Sequence, residues 1–466
     1  MKSRFADLPR TEIHIAAGEG AGPFEWRRHS VGHGGINSHP LPERVIRGAR
    51  QLGPRLIRTF LQEYLRIYPD RAVFDWGRCD PYLESLAATG ANVMAAITLK
   101  PGPLFPTIDH TIWQPADTTE WQQVITALVR RYSVERPIVT HWEVGNETDI
   151  GEWGGSPFLV NTSDAYFDYY LTMVEAILLT FPDAKVGGPA LAGAKHDLLP
   201  GFLDRCAQTE TPLDFISWHC YDDDPEQHAR LAEYVRGLLA DWPGARPELM
   251  VTEWNKSFDP VSVEEMAFDP ARAAHTAATI LAMMDAKIDA SFYYHLWDQT
   301  AYIDEFSPFF ADPSIMAVHW NEVPHRFGLF GVKGEVRPQY FVYWMLSRMG
   351  DERLSIDGDP APLRACAARG DARIATLLIN YGHDAIDRIA DLHFDGIPPG
   401  RKQLIIYRID DGRHWSEETL DLHPVEQREV DTGTHFHCQV FSPTGSVTLA
   451  ALREEGAGRG ARGTGN

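Results

Sequence analysis

Short apolar, β-branched runs alternate with amphipathic segments along most of the chain. The runs are Leu56–Leu61, Asn92–Leu99, Ile138–Val144, Lys185–Leu191, Asp214–Tyr221, Leu249–Trp254 and Ala290–Trp297. Each has the length of a strand and lacks strict polar alternation, the pattern of strands buried on both faces. Between them lie helical patterns. The clearest is Ala165–Phe181, where Phe167, Tyr170, Leu171, Val174, Ile177, Leu178 and Phe181 recur on one face. Ser163 or Asp164 is its expected cap, and Pro182-Asp183 its stop. Glu120–Tyr132 and Pro270–Ala286 read as helices in the same way.

Buried strands that alternate with helices predict a parallel sheet. With a weaker, glycine-rich strand at His29–His33, eight repeats fit a (β/α)8 TIM barrel over residues 18–350. A doubly wound open sheet is the rival architecture, but no Gly-x-Gly-x-x-Gly turn follows the first strand. Beyond about Gly350 the helical patterns stop. Strand-like stretches at Leu363–Tyr381, Lys402–Ile409 and Phe436–Ala451, with turns such as "DDGR", predict a C-terminal antiparallel β-sandwich over 351–453. The early strand at 11–17 is a candidate addition to it, and 454–466 reads as a low-complexity, disordered tail.

Composition narrows the function. Apolar residues make up 44% and charged residues 23%, an ordinary soluble balance. No apolar run reaches membrane-spanning length, and the start "MKSRFADLPR" lacks the apolar core of a secretory signal, so a cytoplasmic location is expected. Five scattered cysteines without a CxxC pair agree with reduced thiols. A net charge of −22 disfavours nucleic acid as a partner. The thirteen tryptophans suit either a large core or stacking on sugar faces. The nineteen histidines form no three-ligand metal pattern, and His435 and His437 read as surface residues of one strand. No metal or cofactor is therefore expected.

In a barrel, chemistry sits at the C-terminal ends of the strands. The polar residues there include Arg58 on the second strand, Asn146 and Glu147 on the fourth, and His219 and Tyr221 on the sixth. Glu253 lies on the seventh, and Trp297 is at the end of the eighth. Glu147 and Glu253 stand out because burying two neighbouring carboxylates is costly unless they are used. A retaining glycosidase uses such a pair as acid/base and nucleophile, about 5–5.5 Å apart.

"WEVGNE" and "VTEWN" resemble the acid/base and nucleophile strands of the large glycosidase clan with catalytic glutamates on strands four and seven. From about residue 12 to 450 the chain resembles glycoside hydrolase family 39, which includes β-xylosidases and α-L-iduronidases. "LIRTFL", "ISWHCYDDD" and "GEVRPQYFVYWMLSRMGDERL" support this. The resemblance implies a retaining hydrolase of terminal β-D-xylosyl or related pentosyl residues. Glu147 takes the place of the acid/base and Glu253 that of the nucleophile. Asn146 resembles the amide that bonds the sugar 2-OH, and Arg58 the arginine beside the nucleophile. His219 and Tyr221 resemble polar neighbours of the nucleophile. Trp297 is the expected stacking floor for the sugar, and His33 a candidate partner for a sugar hydroxyl.

The partner expected is an oligosaccharide or glycoside; assembly into an oligomer is left open. Rival readings are an α-L-arabinosidase or uronidase of the same clan, or a catalytically silent glycan-binding barrel. One departure stands out: the family has Asn-Glu-Pro where this chain has Asn146-Glu147-Thr148. The aromatic, acidic stretch Thr300–Phe327 fits either a wall for the sugar subsites or a self-packed loop. Its Asp304, Glu305 and Asp312 weigh against an anionic sugar.

Overall fold

The computed structural model describes residues 7–257, 269–322, 327–416 and 418–454. The expected disordered tail falls outside these residues, apart from Glu454. Two compact units are distinguished. One comprises Arg27–Met266 and Ala282–Gly334, the other Met1–Trp26, Ala267–Leu281 and Glu335–Asn466.

The first unit is a closed, all-parallel barrel of eight strands: β2 (His29–Gly32), β3 (Leu56–Gln62), β4 (Asn92–Thr98), β5 (Val139–Val144), β6 (Lys185–Leu191), β7 (Phe215–Tyr221), β8 (Glu248–Asn255) and β9 (Ala290–Tyr294). The rival open sheet is excluded because β2 pairs with β9, His29 opposite Ser291, and closes the ring. The apolar runs are strands buried on both faces: in β4 every residue after Asn92 is buried. Helices α1 (Glu43–Leu52), α2 (Cys79–Ala87), α3 (Thr118–Val129), α4 (Ser163–Thr180), α5 (Leu198–Thr209) and α6 (Gln227–Leu238) alternate with the strands. In α4 the residue before the helix is Thr162, which makes no side-chain cap. The expected cap Ser163 instead donates to the Leu198 carbonyl, 2.9 Å, tying α4 to α5.

Inside the barrel the side chains form layers. Met94, Phe215, Met250 and Phe292 fill the N-terminal end. Phe60, Ala96 and Tyr294 cluster at the other end, with Tyr221 and Trp320 packed against them. Arg58 and Glu143 are buried in the same barrel, Arg58 opposite Met94 and Glu143 opposite Ala96.

The second unit is a nine-stranded sheet in the order β15-β14-β17-β12-β11-β10-β1-β13-β16. Its strands are β1 (Arg10–Pro23), β10 (Glu352–Asp357), β11 (Arg364–Gly370), β12 (Arg373–Asn380), β13 (Arg388–Asp395), β14 (Gly400–Ile409), β15 (Pro424–Thr432), β16 (His435–Ser442) and β17 (Ser446–Glu454). Every pair is antiparallel except β1 with β13. The sandwich is therefore one continuous sheet folded over itself: Leu404 and Val430 from one end share a core with Leu392 and Val440 from the other. The N-terminal strand sits in the middle of this sheet, between β10 and β13.

Candidate active site

The end of β5 determines the site's geometry. The strand ends at Val144, whose carbonyl accepts from the Tyr166 hydroxyl at 2.6 Å. Gly145 then turns the chain with φ +86°, and Glu147 itself has φ +43°. A residue with a Cβ is strained in this left-handed region, at a cost of about 1–3 kcal/mol, and stays there only when its surroundings hold it. Here they do: Glu147 N–H donates to the Ala190 carbonyl at 2.8 Å. The Glu147 carbonyl accepts from Ile150 and Gly151.

This turn accounts for Thr148. Proline pushes the residue before it into extended backbone, which the left-handed Glu147 does not adopt. Thr148 is fully buried, and its hydroxyl donates to the Val160 carbonyl at 3.4 Å. The left-handed Glu147 thus suits a residue other than proline at position 148.

Glu147 and Glu253 meet at the mouth. A carboxylate oxygen of each, together with a ring nitrogen of His219, lies within 4.8 Å of the others. His219 Nδ1 shares a hydrogen bond with Glu147 Oε1, 2.7 Å, and stands 3.7 Å from Glu253 Oε2. Burial is the main cause that pushes the Glu147 carboxyl up to about 8, with Asp149 adding to it and Arg58 opposing. Burial likewise lowers His219 to about 4, so its ring is neutral at pH 7.

Glu253 has the opposite environment. Arg58 Nη1 donates to its Oε1 at 2.7 Å, and the Tyr221 hydroxyl donates to its Oε2 at 2.7 Å. Each of its two oxygens thus accepts from a separate side-chain donor, one of them a guanidinium. Burial, then the charges of Glu253 and Glu147, drives the Tyr221 phenol well above its ordinary range, so it remains a donor.

Arg58 is fully buried and serves three residues. Besides Glu253, its Nε donates to Glu143 Oε2 at 2.6 Å and its Nη2 to Asn146 Oδ1 at 2.7 Å. Asn146 Nδ2 in turn donates to the Gly154 carbonyl at 3.0 Å. One guanidinium thus fixes Glu253, Glu143 and Asn146 in a single plane of donors.

A cavity of about 610 Å³ opens over these groups. Asn146, Glu147, Tyr221 and Glu253 line it, along with Phe60, Tyr294 and Trp320. Four expected site residues lie outside this lining: Arg58 and His219, which reach it through the carboxylates they bond, and His33 and Trp297, which do not. His33 is fully buried, with its ring against Trp297, Tyr82 and His295 at 6.0–6.3 Å. Trp297 is also a correction: β9 ends at Tyr294, and Trp297 bridges to Phe330 while its Nε1 donates to the Val332 carbonyl. Trp320 occupies the wall instead, 5.6 Å from the Tyr294 ring.

The stretch 300–327 divides between its two expected roles. Phe306, Phe309 and Phe310 pack on one another and are buried. Met316, Val318, His319 and Trp320 line the cavity. Asp304, Glu305 and Asp312 do not line it, so the charge argument drawn from them lacks a structural basis.

Sequence reasoning missed four features. Glu143, inside a strand, looks like core until its partner Arg58 is known. Gly154 passes so close to Glu147 that an added Cβ would lie 2.1 Å from its Oε2. Trp153 and Ile150 stand exposed at the rim. The "IGEWGG" run following Glu147 was the available signal for three of these four.

His437 and His435 are surface residues: His437 stacks on His393, which stacks on His14, both at 4.5 Å. Among the described residues, no helix is long and apolar enough to cross a membrane.

The family model described as "Glycosyl hydrolases family 39" matches residues 51–414. A β-xylosidase of Geobacillus stearothermophilus is 27% identical over 289 residues, 57% of this chain and 52% of that protein. A β-xylosidase of Caldicellulosiruptor saccharolyticus is 26% identical over 331 residues, 66% of this chain and 63% of that protein. The matches thus span under two thirds of both relatives. Among solved structures, a GH39 enzyme of Xanthomonas axonopodis pv. citri has a TM-score of 0.76 at 19% identity, covering 95% of this chain and 97% of that one. A monomeric β-xylosidase of Caulobacter crescentus has a TM-score of 0.73 at 19% identity, covering 95% and 99%. At these identities the structural likeness speaks for the fold.

Proposed function

The chain belongs to glycosyl hydrolases family 39, and we propose that it is a retaining glycosidase that releases terminal β-D-xylosyl or closely related pentosyl residues. The observation that carries this reading is the asymmetry of the carboxylate pair. The two share one site, yet Glu147 is pushed up to about 8 while Glu253 accepts from Arg58 and Tyr221. A carboxyl raised by burial suits the acid, and one held by two donors beside it suits the nucleophile.

In the first step Glu253 attacks the anomeric carbon as Glu147 gives its proton to the glycosidic oxygen. The carbon–oxygen bond breaks, the aglycone leaves as an alcohol, and the sugar is esterified to Glu253. In the second step Glu147, now a carboxylate, takes a proton from water as that water attacks the same carbon. The sugar leaves with its original anomeric configuration. Asn146, held by Arg58, is the proposed partner of the 2-OH. Tyr221 steadies the nucleophile's second oxygen, and His219 orients Glu147. The aromatic wall of Phe60, Tyr294 and Trp320 supplies stacking surface for the sugar ring.

The distance is a further support. Oxygens within 4.8 Å suit the ~5–5.5 Å spacing of retaining enzymes rather than the ~6.5–9.5 Å of inverting ones. Preference for xylosides rests on the two β-xylosidase relatives. A panel of 4-nitrophenyl β-D-xyloside, α-L-arabinosides and uronides tests it: fastest cleavage of the xyloside is expected. Glu253→Ala is expected to abolish turnover, and azide to restore part of it as the α-glycosyl azide. Binding of oligosaccharides without cleavage of any activated glycoside would overturn the reading in favour of a silent glycan-binding barrel.

A further inference from the structure

Large exposed apolar side chains are a minority on this protein, yet three of them, Ile150, Trp153 and Val318, line the same cavity as the glutamates. Trp153 is 66% exposed, Ile150 41% and Val318 39%. Leaving a tryptophan so open on an otherwise polar surface calls for a partner. These residues also lie on a particular side of the site. Ile150, Trp153 and Gly154 follow Glu147 directly, and the backbone N–H of Ile150 donates to the Glu147 carbonyl at 3.1 Å. Gly154 packs against the Glu147 carboxyl itself. The general acid stands where the leaving oxygen departs, so its outer neighbours meet the aglycone.

This rim is held in shape. Glu152, buried between Gly151 and Trp153, accepts from the backbone N–H of Ala311 at 2.6 Å and of Asp312 at 3.1 Å. That ties the short 3-10 turn Gly151–Gly154 to the segment carrying Met316, Val318 and His319. The Trp153 and His319 rings lie 5.8 Å apart across the rim. On this rim the side-chain hydrogen-bonding groups that line the cavity are few: the His319 ring and the indole N–H groups of Trp153 and Trp320. Burial lowers the His319 pKa, which keeps its ring neutral at pH 7. A second sugar at this place would bring several hydroxyls and find few partners for them, an unfavourable exchange. An alkyl or aryl group would cover the open apolar surface.

We propose that the leaving-group side of this active site is an apolar aglycone subsite, built on Ile150, Trp153 and Val318, that selects glycosides of alkyl or aryl alcohols over those of a second sugar. The inference rests on the glycosidase reading above.

The test compares hexyl with methyl β-D-xyloside, whose leaving alcohols have nearly the same acidity. The wild-type enzyme is expected to favour the hexyl substrate at least ~tenfold in kcat/KM, about what two buried methylenes provide. In Trp153→Ala the hexyl-to-methyl ratio is expected to fall close to one, and in Trp153→Phe to keep most of its value. The ratio is internal to each variant, so a loss of active protein does not alter it. A wild-type ratio near one, or a ratio that survives Trp153→Ala, overturns the subsite while hydrolysis of 4-nitrophenyl β-D-xyloside leaves the glycosidase reading standing. If no β-xyloside is cleaved, 4-nitrophenyl included, the glycosidase reading falls and the subsite with it.

Discussion

Replacing Glu147 by glutamine keeps the side chain's shape and removes its proton. With the carboxyl pushed up to about 8, roughly nine-tenths of the molecules hold that proton at pH 7; at the ordinary value of 4.5 well under one percent would. The variant therefore removes an acid that is mostly protonated at pH 7. For methyl β-D-xyloside, whose alkoxide cannot leave unprotonated, kcat/KM is expected to fall ~10²–10⁴-fold. For 4-nitrophenyl β-D-xyloside the phenolate leaves unaided, so kcat/KM falls far less. Water attack loses its base in either case, so the glycosyl-enzyme accumulates and a burst of nitrophenol precedes a slow steady state. Azide, which needs no base, is expected to speed that steady state and yield the β-glycosyl azide. The pH dependence follows in sign: the acid must start protonated, so wild-type kcat/KM falls as pH rises through about 8, and the Gln variant lacks that alkaline limb. Stopped-flow and pH–rate measurements on the two substrates read all of this. An alkaline limb that persists unchanged in Glu147→Gln, or an equal loss on both substrates, would refute the assignment of the acid.

Three further outcomes probe the frame around that group. Gly154→Ala puts a Cβ 2.1 Å from Glu147 Oε2; a fall of at least ~tenfold in kcat with cooperative unfolding retained is expected, and wild-type kinetics would show that the close approach is unimportant. Thr148→Pro forces the left-handed Glu147 towards extended backbone, at ~1–3 kcal/mol to be seen in urea unfolding or as lost kcat; a variant equal to wild type in both would contradict the account of this turn. Arg58→Leu strands Glu143, whose side chain, like that of Arg58, is fully buried, and is expected to cost ~3–5 kcal/mol of stability, part of which Arg58→Leu/Glu143→Leu recovers; a single-variant loss below about 1 kcal/mol would mean that the pair is not held as described.

The barrel was legible because a strand buried on both faces and a helix with one apolar face leave distinct periods in the sequence. The run Lys185–Leu191 coincides with β6, and the helix expected from Ala165 is α4. Glu147 and Glu253 were legible for a related reason, since an ionisable residue at the end of a buried run has few structural uses. What surrounds them was less visible. Whether a residue just past a strand faces the mouth or the outside depends on where the strand stops, and an error of a few residues reverses the answer. That is how Trp297, placed on a strand that ends at Tyr294, gave way to Trp320.

Long-range partners were beyond reach for the same kind of reason. Glu143 takes its meaning from Arg58, 85 residues away. Gly154 shows its importance only when its backbone lies against Glu147. The parallel pairing of β1 with β13 joins segments nearly the whole chain apart, and neither pattern carries a mark of the other.

The central claim is that Glu253 forms a covalent bond to the sugar. A 2-deoxy-2-fluoro-β-D-xyloside with a dinitrophenyl leaving group slows both steps, the second more, and so traps that species. Intact-mass analysis followed by peptide mapping is expected to show one fluoroxylosyl group per chain, on Glu253, with activity lost in step with labelling. Turnover of ordinary xylosides with no adduct under these conditions, or an adduct on another residue, would contradict the account.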